Sequence, residues 1–98
     1  MAHYQTANSL TLHVVVHGRV QGVFYRDSMK REAIKQSVAG WVRNRADGTV
    51  EAILHGEASA VNAVVLWARR GPELAQVEHM MVEPIDSPCT GFVILPTV

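Results

Sequence analysis

The stretch HGRVQGVFYR, residues 17–26, places Gly18 and Gly22 in one short segment and closes it on Phe24, Tyr25 and Arg26. Glycine lets backbone turn through conformations closed to other residues, or approach a ligand closely. In such a turn, successive N–H groups converge on one point, and a helix that starts there adds partial positive charge. A guanidinium in that helix's first turn can fork two hydrogen bonds onto a phosphate or carboxylate. Without a ligand, Arg26 would oppose the helix dipole at a cost of a few tenths of a kcal/mol, and a bound anion reverses that penalty. The chemistry these residues suit is capture of a small anion. Nucleotide binding of the common kinds is excluded, since neither G-x-x-x-x-G-K-[ST] nor G-x-G-x-x-G occurs here.

A second residue stands out in GWVRNRADGTVEA, residues 40–52. Asn44 interrupts a run that otherwise favours strand, where asparagine is depleted. Alternation puts it on the face of Val42, opposite Trp41 and Arg43. Two readings of that position stand: its amide closes the hairpin turn, or it serves as a neutral donor and acceptor that holds a water molecule in one orientation. Other catalytic equipment is missing from the sequence: no nucleophile beside a base, no carboxylate cluster for Mg²⁺, no metal-spaced His/Cys group. His3, His13, His17, His55 and His79 are scattered, with His17 nearest the glycine segment. Neither a metal nor a cofactor is expected.

The elements that must position Arg26 and Asn44 follow from periodicity. Leu10–His17 alternates as a half-buried strand, and residues 1–9 are polar and non-periodic, a flexible tail. Tyr25, Met29 and Ala33 recur with helical spacing, which predicts a helix from Tyr25 to about Ser37. Gly40–Arg45 and Thr49–Gly56 are strands joined around Asp47-Gly48, a hairpin signal. A second helix shows a Val61, Val64, Val65, Ala68 stripe, with Ser59 as its cap and Gly71-Pro72 as its stop. QVEHMMVEP (76–84) and GFVIL (91–95) complete the strands. The order β-α-β-β-α-β with a short extra C-terminal strand is the split β-α-β pattern of an α+β protein. It predicts an antiparallel sheet with both helices on one face.

The chain's 98 residues suit a single domain, residues 10–98, with one core. The lone Cys89 excludes an internal disulfide and fits a reducing, cytoplasmic setting. No run is apolar enough for a membrane span, and the zero net charge argues against a nucleic-acid coat. The charge is divided, however: residues 1–45 carry +5 and residues 46–98 carry −5. One reading is a basic patch around the glycine segment.

Taken together, GRVQGVFYR and the asparagine eighteen residues beyond its arginine resemble the signature pair of the acylphosphatase family. The likeness extends to Gly71-Pro72, AQVE at 75–78 and GFVI at 91–94. The resemblance implies a ferredoxin-like sandwich that hydrolyses the carboxyl-phosphate bond of acyl phosphates to carboxylate and inorganic phosphate. It implies that Gly18, Arg19, Val20, Gln21, Gly22 and Val23 cradle the phosphate through their N–H groups. Arg26 matches the phosphate-binding arginine and Asn44 the water-positioning asparagine. Tyr25 stands where phenylalanine is usual, which adds a hydroxyl beside the loop. Ser37 stands where a helix-ending glycine is usual, at a cost of roughly 1 kcal/mol in a left-handed conformation. The alternative is an acyl- or carbamoyl-phosphate-binding domain without turnover, as such domains occur in carbamoyl-transferring proteins. An RNA-binding module is disfavoured because LTLHVVVH and VEAILHG lack aromatics. The expected protein is a monomer whose partners are acyl phosphate and phosphate, with no nucleic acid and no membrane.

Overall fold

The computed structural model describes residues 9–87 and 89–98. The tail expected over residues 1–9 lies outside them except for Ser9, which opens the first strand, paired with Glu57. The elements run β1 (Ser9–Arg19), α1 (Tyr25–Lys35), β2 (Ala39–Asn44), β3 (Val50–Glu57), α2 (Ala58–Ala68), β4 (Gln76–Pro84) and β5 (Phe92–Ile94). They form one sheet in the order β4-β1-β3-β2-β5. The four longer strands are antiparallel throughout, as expected. The short β5 instead runs parallel to β2, so the sheet as a whole is mixed. Strand sense alternates along β4-β1-β3-β2, and a chain that leaves β4 and turns once on its way to the far edge must run with β2.

Period-two alternation supplies one wall of the core and helical periodicity the other. Leu12, Val14 and Val16 of β1, Val42 of β2, and Val50, Ala52 and Leu54 of β3 are buried. Against them pack Tyr25, Met29 and Ala33 of α1, with α2 contributing the predicted Val61, Val64, Val65 and Ala68. Each large apolar side chain so buried contributes about 1.5–3 kcal/mol. Helix α1 lies over β2 and β5, and α2 over β3 and β1. On the uncovered face, Glu51 accepts hydrogen bonds from His13 and Arg43, while Arg43 also rides over the Trp41 ring at 4.7 Å. Burial works to raise the Glu51 carboxyl, but these two partners outweigh it and hold it below its ordinary value. Arg43 and Arg45 are thus paired with Glu51 and Asp47, so the positive half of the sequence is partly neutralised by the negative half.

Two helix boundaries differ from the sequence reading. Ser59 is not the α2 cap: Glu57 holds that position without a side-chain capping bond, and the Ser59 hydroxyl donates to the Glu57 carboxylate at 3.0 Å. Helix α1 ends at Lys35, before Ser37, through a paired C-terminal closure. The Val38 N–H reaches the Ala33 carbonyl at 2.8 Å and the Ser37 N–H reaches that of Ile34 at 3.1 Å. This is the Schellman arrangement, whose residue after the cap must be left-handed. Ser37 is, at φ 59°. Buried Val38 and Ala33 supply the apolar contact that accompanies the motif.

Serine therefore occupies a position that glycine would fill without strain. Ser37→Gly is expected to gain about 1 kcal/mol of stability. Urea unfolding should show a higher midpoint at unchanged slope, and an unmoved midpoint would mean the serine carries no strain.

Candidate active site

The segment between β1 and α1 is held from below by side chains and presents its backbone outward. Val20 and Val23 are buried in the core, and Tyr25 is buried at the start of α1. The Tyr25 hydroxyl donates to the Ala68 carbonyl at the end of α2, at 2.6 Å, and its ring meets Trp67. It does not lie beside the loop, as its place in the motif had suggested, and its burial pushes the phenol's pKa up. Gln21 reaches sideways, donating to the carbonyls of Arg45 at 2.8 Å and Thr49 at 2.9 Å. One amide side chain thereby ties the loop to the β2–β3 hairpin.

The two glycines do different work. Gly18 is still part of β1, opposite Val77, where the β1–β4 register shifts after His17. A Cβ at Gly18 would collide with the Gln76 carbonyl and the Glu78 amide, so the strand can pack there only without one. Arg19 also belongs to β1, opposite Gln76. Gly22 has open space around its missing Cβ and sits at φ 73°, so its requirement is conformational. Phe24, at φ 64°, then turns the chain into α1 and provides no side-chain cap. The first N–H groups of α1 are thus left for another acceptor.

Arg26 lies in that first turn, half-buried, and makes no ion pair among the described residues. It lines a recess of about 360 Å³ together with Val20, Gly22, Phe24 and Ile94 of β5. Arginine and loop backbone are thus brought to one concavity.

Asn44 does not line that recess; it ends β2 beside the hairpin that Gln21 grips. Its backbone is clamped from both sides, facing Val50 on β3 and accepting from the Val98 N–H at 3.2 Å. Its side-chain Oδ1 is buried with no hydrogen-bond partner among the described residues. A buried amide oxygen in that condition calls for a donor. The hairpin itself is shaped by Asp47, whose carboxylate accepts from the Thr49 hydroxyl at 2.6 Å, the Thr49 N–H at 3.0 Å and Arg45 at 3.1 Å. The Thr49 bonds, with Arg45 behind them, hold the Asp47 carboxyl well below the usual carboxylate range.

The chain and its fold have counterparts among known proteins. Residues 12–94 match the family model named Acylphosphatase. The chain belongs to the acylphosphatase family. It is 51% identical over 82 residues to an acylphosphatase of Thiobacillus denitrificans, covering 84% of this chain and 92% of that one. Among solved structures, an acylphosphatase from Coxiella burnetii superimposes with a TM-score of 0.87 at 33% identity, covering 93% of this chain and 97% of that one. The acylphosphatase from Bacillus subtilis gives 0.84 at 35%, covering 88% and 98%.

Sequence reasoning missed two residues here. Gln21 was read for its N–H alone, whereas its side chain bridges to the hairpin. Ile94 comes to the recess through the parallel β5 pairing that periodicity did not specify. His17 faces His79 across β1 and β4, its buried Nε2 without a partner among the described residues, at the root of the loop rather than in the recess.

The Arg45 and Thr49 carbonyls that Gln21 grips also accept backbone bonds from Gly48 and Arg45. Removing the side chain leaves neither carbonyl orphaned, so Gln21→Ala is expected to cost about 1 kcal/mol of stability. The loop and hairpin lose their link, so kcat should fall more than stability alone would suggest. Phosphate-release assays well below the melting temperature check this; full activity would show that the bridge is dispensable.

Proposed function

We propose that this acylphosphatase-family chain hydrolyses small acyl phosphates by direct in-line attack of water at phosphorus, without a metal ion. Family membership at about half identity over most of the chain supports the hydrolysis. The single observation that carries the mechanism is the recess itself: Arg26, Gly22 and the uncapped start of α1 converge on one concavity suited to a phosphoryl group. Water oxygen bonds to phosphorus while the phosphorus–oxygen bond to the acyl group breaks, and the carboxylate leaves with that electron pair. The water's proton passes to a phosphoryl oxygen, so no side-chain base is needed. A carboxylate is a good leaving group, and positioning with electrostatic stabilisation suffices for such a loose transition state.

In this reading the N–H groups of residues 18–23 hold the phosphate, with Gly18 and Arg19 contributing from the end of β1. Arg26 balances its charge. Asn44 holds the water, which the buried, unpartnered Oδ1 supports. The reading extends to one domain over residues 10–98 that works as a cytoplasmic monomer with neither nucleic acid nor membrane as partner. The neutral net charge supports the absence of a nucleic-acid partner, and no described helix is long and apolar enough to cross a membrane.

Release of phosphate from benzoyl phosphate or acetyl phosphate in EDTA tests the mechanism. Asn44→Ala should lower kcat by about 10²–10³. Arg26→Ala should lower kcat/KM further, since a forked guanidinium makes two charge-assisted bonds of about 1.5–3 kcal/mol each. Inorganic phosphate should raise the melting temperature of the wild type and not of Arg26→Ala. Turnover abolished by EDTA would sink the metal-free route, and an unchanged kcat in Asn44→Ala would sink the role of the asparagine.

A further inference from the structure

Phe24 is anomalous on two counts. Its neighbours Val23 and Tyr25 are buried, yet its own ring is 72% exposed. Its backbone is left-handed, φ 64° and ψ 26°, a conformation in which a bulky residue is an outlier and glycine or asparagine is at ease. Other large apolar side chains are exposed, including Ile34, Leu66 and Leu74, but scattered exposure of that kind is ordinary. None of those three combines exposure with a strained backbone and a place in the recess. Phe24 also borders a shallower recess with Val23, Pro72 and Leu74, yet its ring stays largely exposed. Strain held at such a site points to a use outside the fold.

The surroundings indicate the use. Phe24 lies between Gly22 and Arg26 in the chain and lines the same recess, with Val20 and Ile94 as further apolar wall. A phosphoryl group seated on the Gly22 backbone and Arg26 would leave its acyl substituent one oxygen away, in the recess that Phe24 helps to line. At about 360 Å³ the recess has room for more than a phosphate. Asp27 also lines it and disfavours a second negative charge on the acyl group.

We infer that Phe24, with Ile94, is the specificity-determining surface for the acyl group and selects acyl phosphates with an uncharged aromatic or extended apolar acyl chain over small or anionic ones. This rests on the hydrolytic reading above. Phe24→Asn keeps a residue at ease in the left-handed conformation while removing the apolar surface, and Phe24→Leu keeps an apolar surface without the ring.

The experiment measures kcat/KM for benzoyl phosphate and acetyl phosphate in wild type and both variants. Calorimetric binding of benzylphosphonate and methylphosphonate, which cannot turn over, runs beside it. Phe24→Asn should lower the benzoyl-to-acetyl ratio about tenfold, chiefly through the KM for benzoyl phosphate, with Phe24→Leu falling less. The benzyl-to-methyl affinity ratio should fall in parallel. Ratios unchanged in Phe24→Asn would overturn the inference, even if both rates dropped, because Phe24 would then only shape the loop. A wild type that turns over neither substrate yet prefers benzylphosphonate would end the hydrolytic reading and leave the acyl surface standing. Equal affinity of the wild type for both phosphonates would end the inference alone.

Discussion

The burial of Val20, Val23 and Tyr25 is the constraint from which the rest of the site follows. Three buried anchors within six residues hold the segment to the core, while Gly22 between them stays exposed. Gly22 supplies the positive φ that makes the reversal possible, and Phe24 accepts a second one before the helix begins. The anchors also fix where α1 starts, and Arg26 is carried one residue beyond the last of them. A phosphate cradle made of backbone requires just this: side chains that hold the loop by its underside and leave its upper side polar. Pre-organisation of that kind spares the site from reorganising when charge develops on the substrate.

The loop would be an anion site alone if it stood free of the hairpin. Gln21 prevents that by gripping the Arg45 and Thr49 carbonyls, and Asp47 keeps those carbonyls in place by closing the turn with Thr49. Asn44 sits at the near end of the same turn, its backbone secured by β3 on one side and the C-terminal residues on the other. The arrangement separates two tasks. In the proposed reading one element binds the anion and another presents an amide oxygen, while a single glutamine side chain relates them. Tyr25 extends the same economy to the second helix, since its hydroxyl fastens the start of α1 to the end of α2.

Much of this was legible in the sequence because alternation and helical spacing report directly on burial. Tyr25, Met29 and Ala33 were recognised as the α1 core face, as was the valine stripe of α2. Arg26 and Asn44 could be singled out because each is costly where it stands: a cation at a helix start and an amide in a strand. Relations between distant segments were not legible. Gln21 carries no periodic signal that would reveal its hairpin partners, and three residues of β5 are too few to announce a parallel pairing. The Tyr25 hydroxyl was misplaced because the motif records position in the chain, not the direction in which a side chain leaves it. Ser59 showed the limit of capping rules: a serine ahead of an apolar stripe suits the rule, but the backbone entered helix two residues earlier, with Glu57 at the cap.

The meeting of Gly18 with the Gln76 carbonyl carries a mechanical implication. Strand β4 is an edge of the sheet, paired on one side alone, and edges are where local opening costs least. Because Gly18 seats against β4 immediately before the loop, the loop's footing depends on an edge strand. Whatever steadies the loop must, by thermodynamic reciprocity, steady that edge as well. On the proposed reading, an anion held by the loop would act as a remote clasp on β4, making that margin of the sheet more secure when the site is filled.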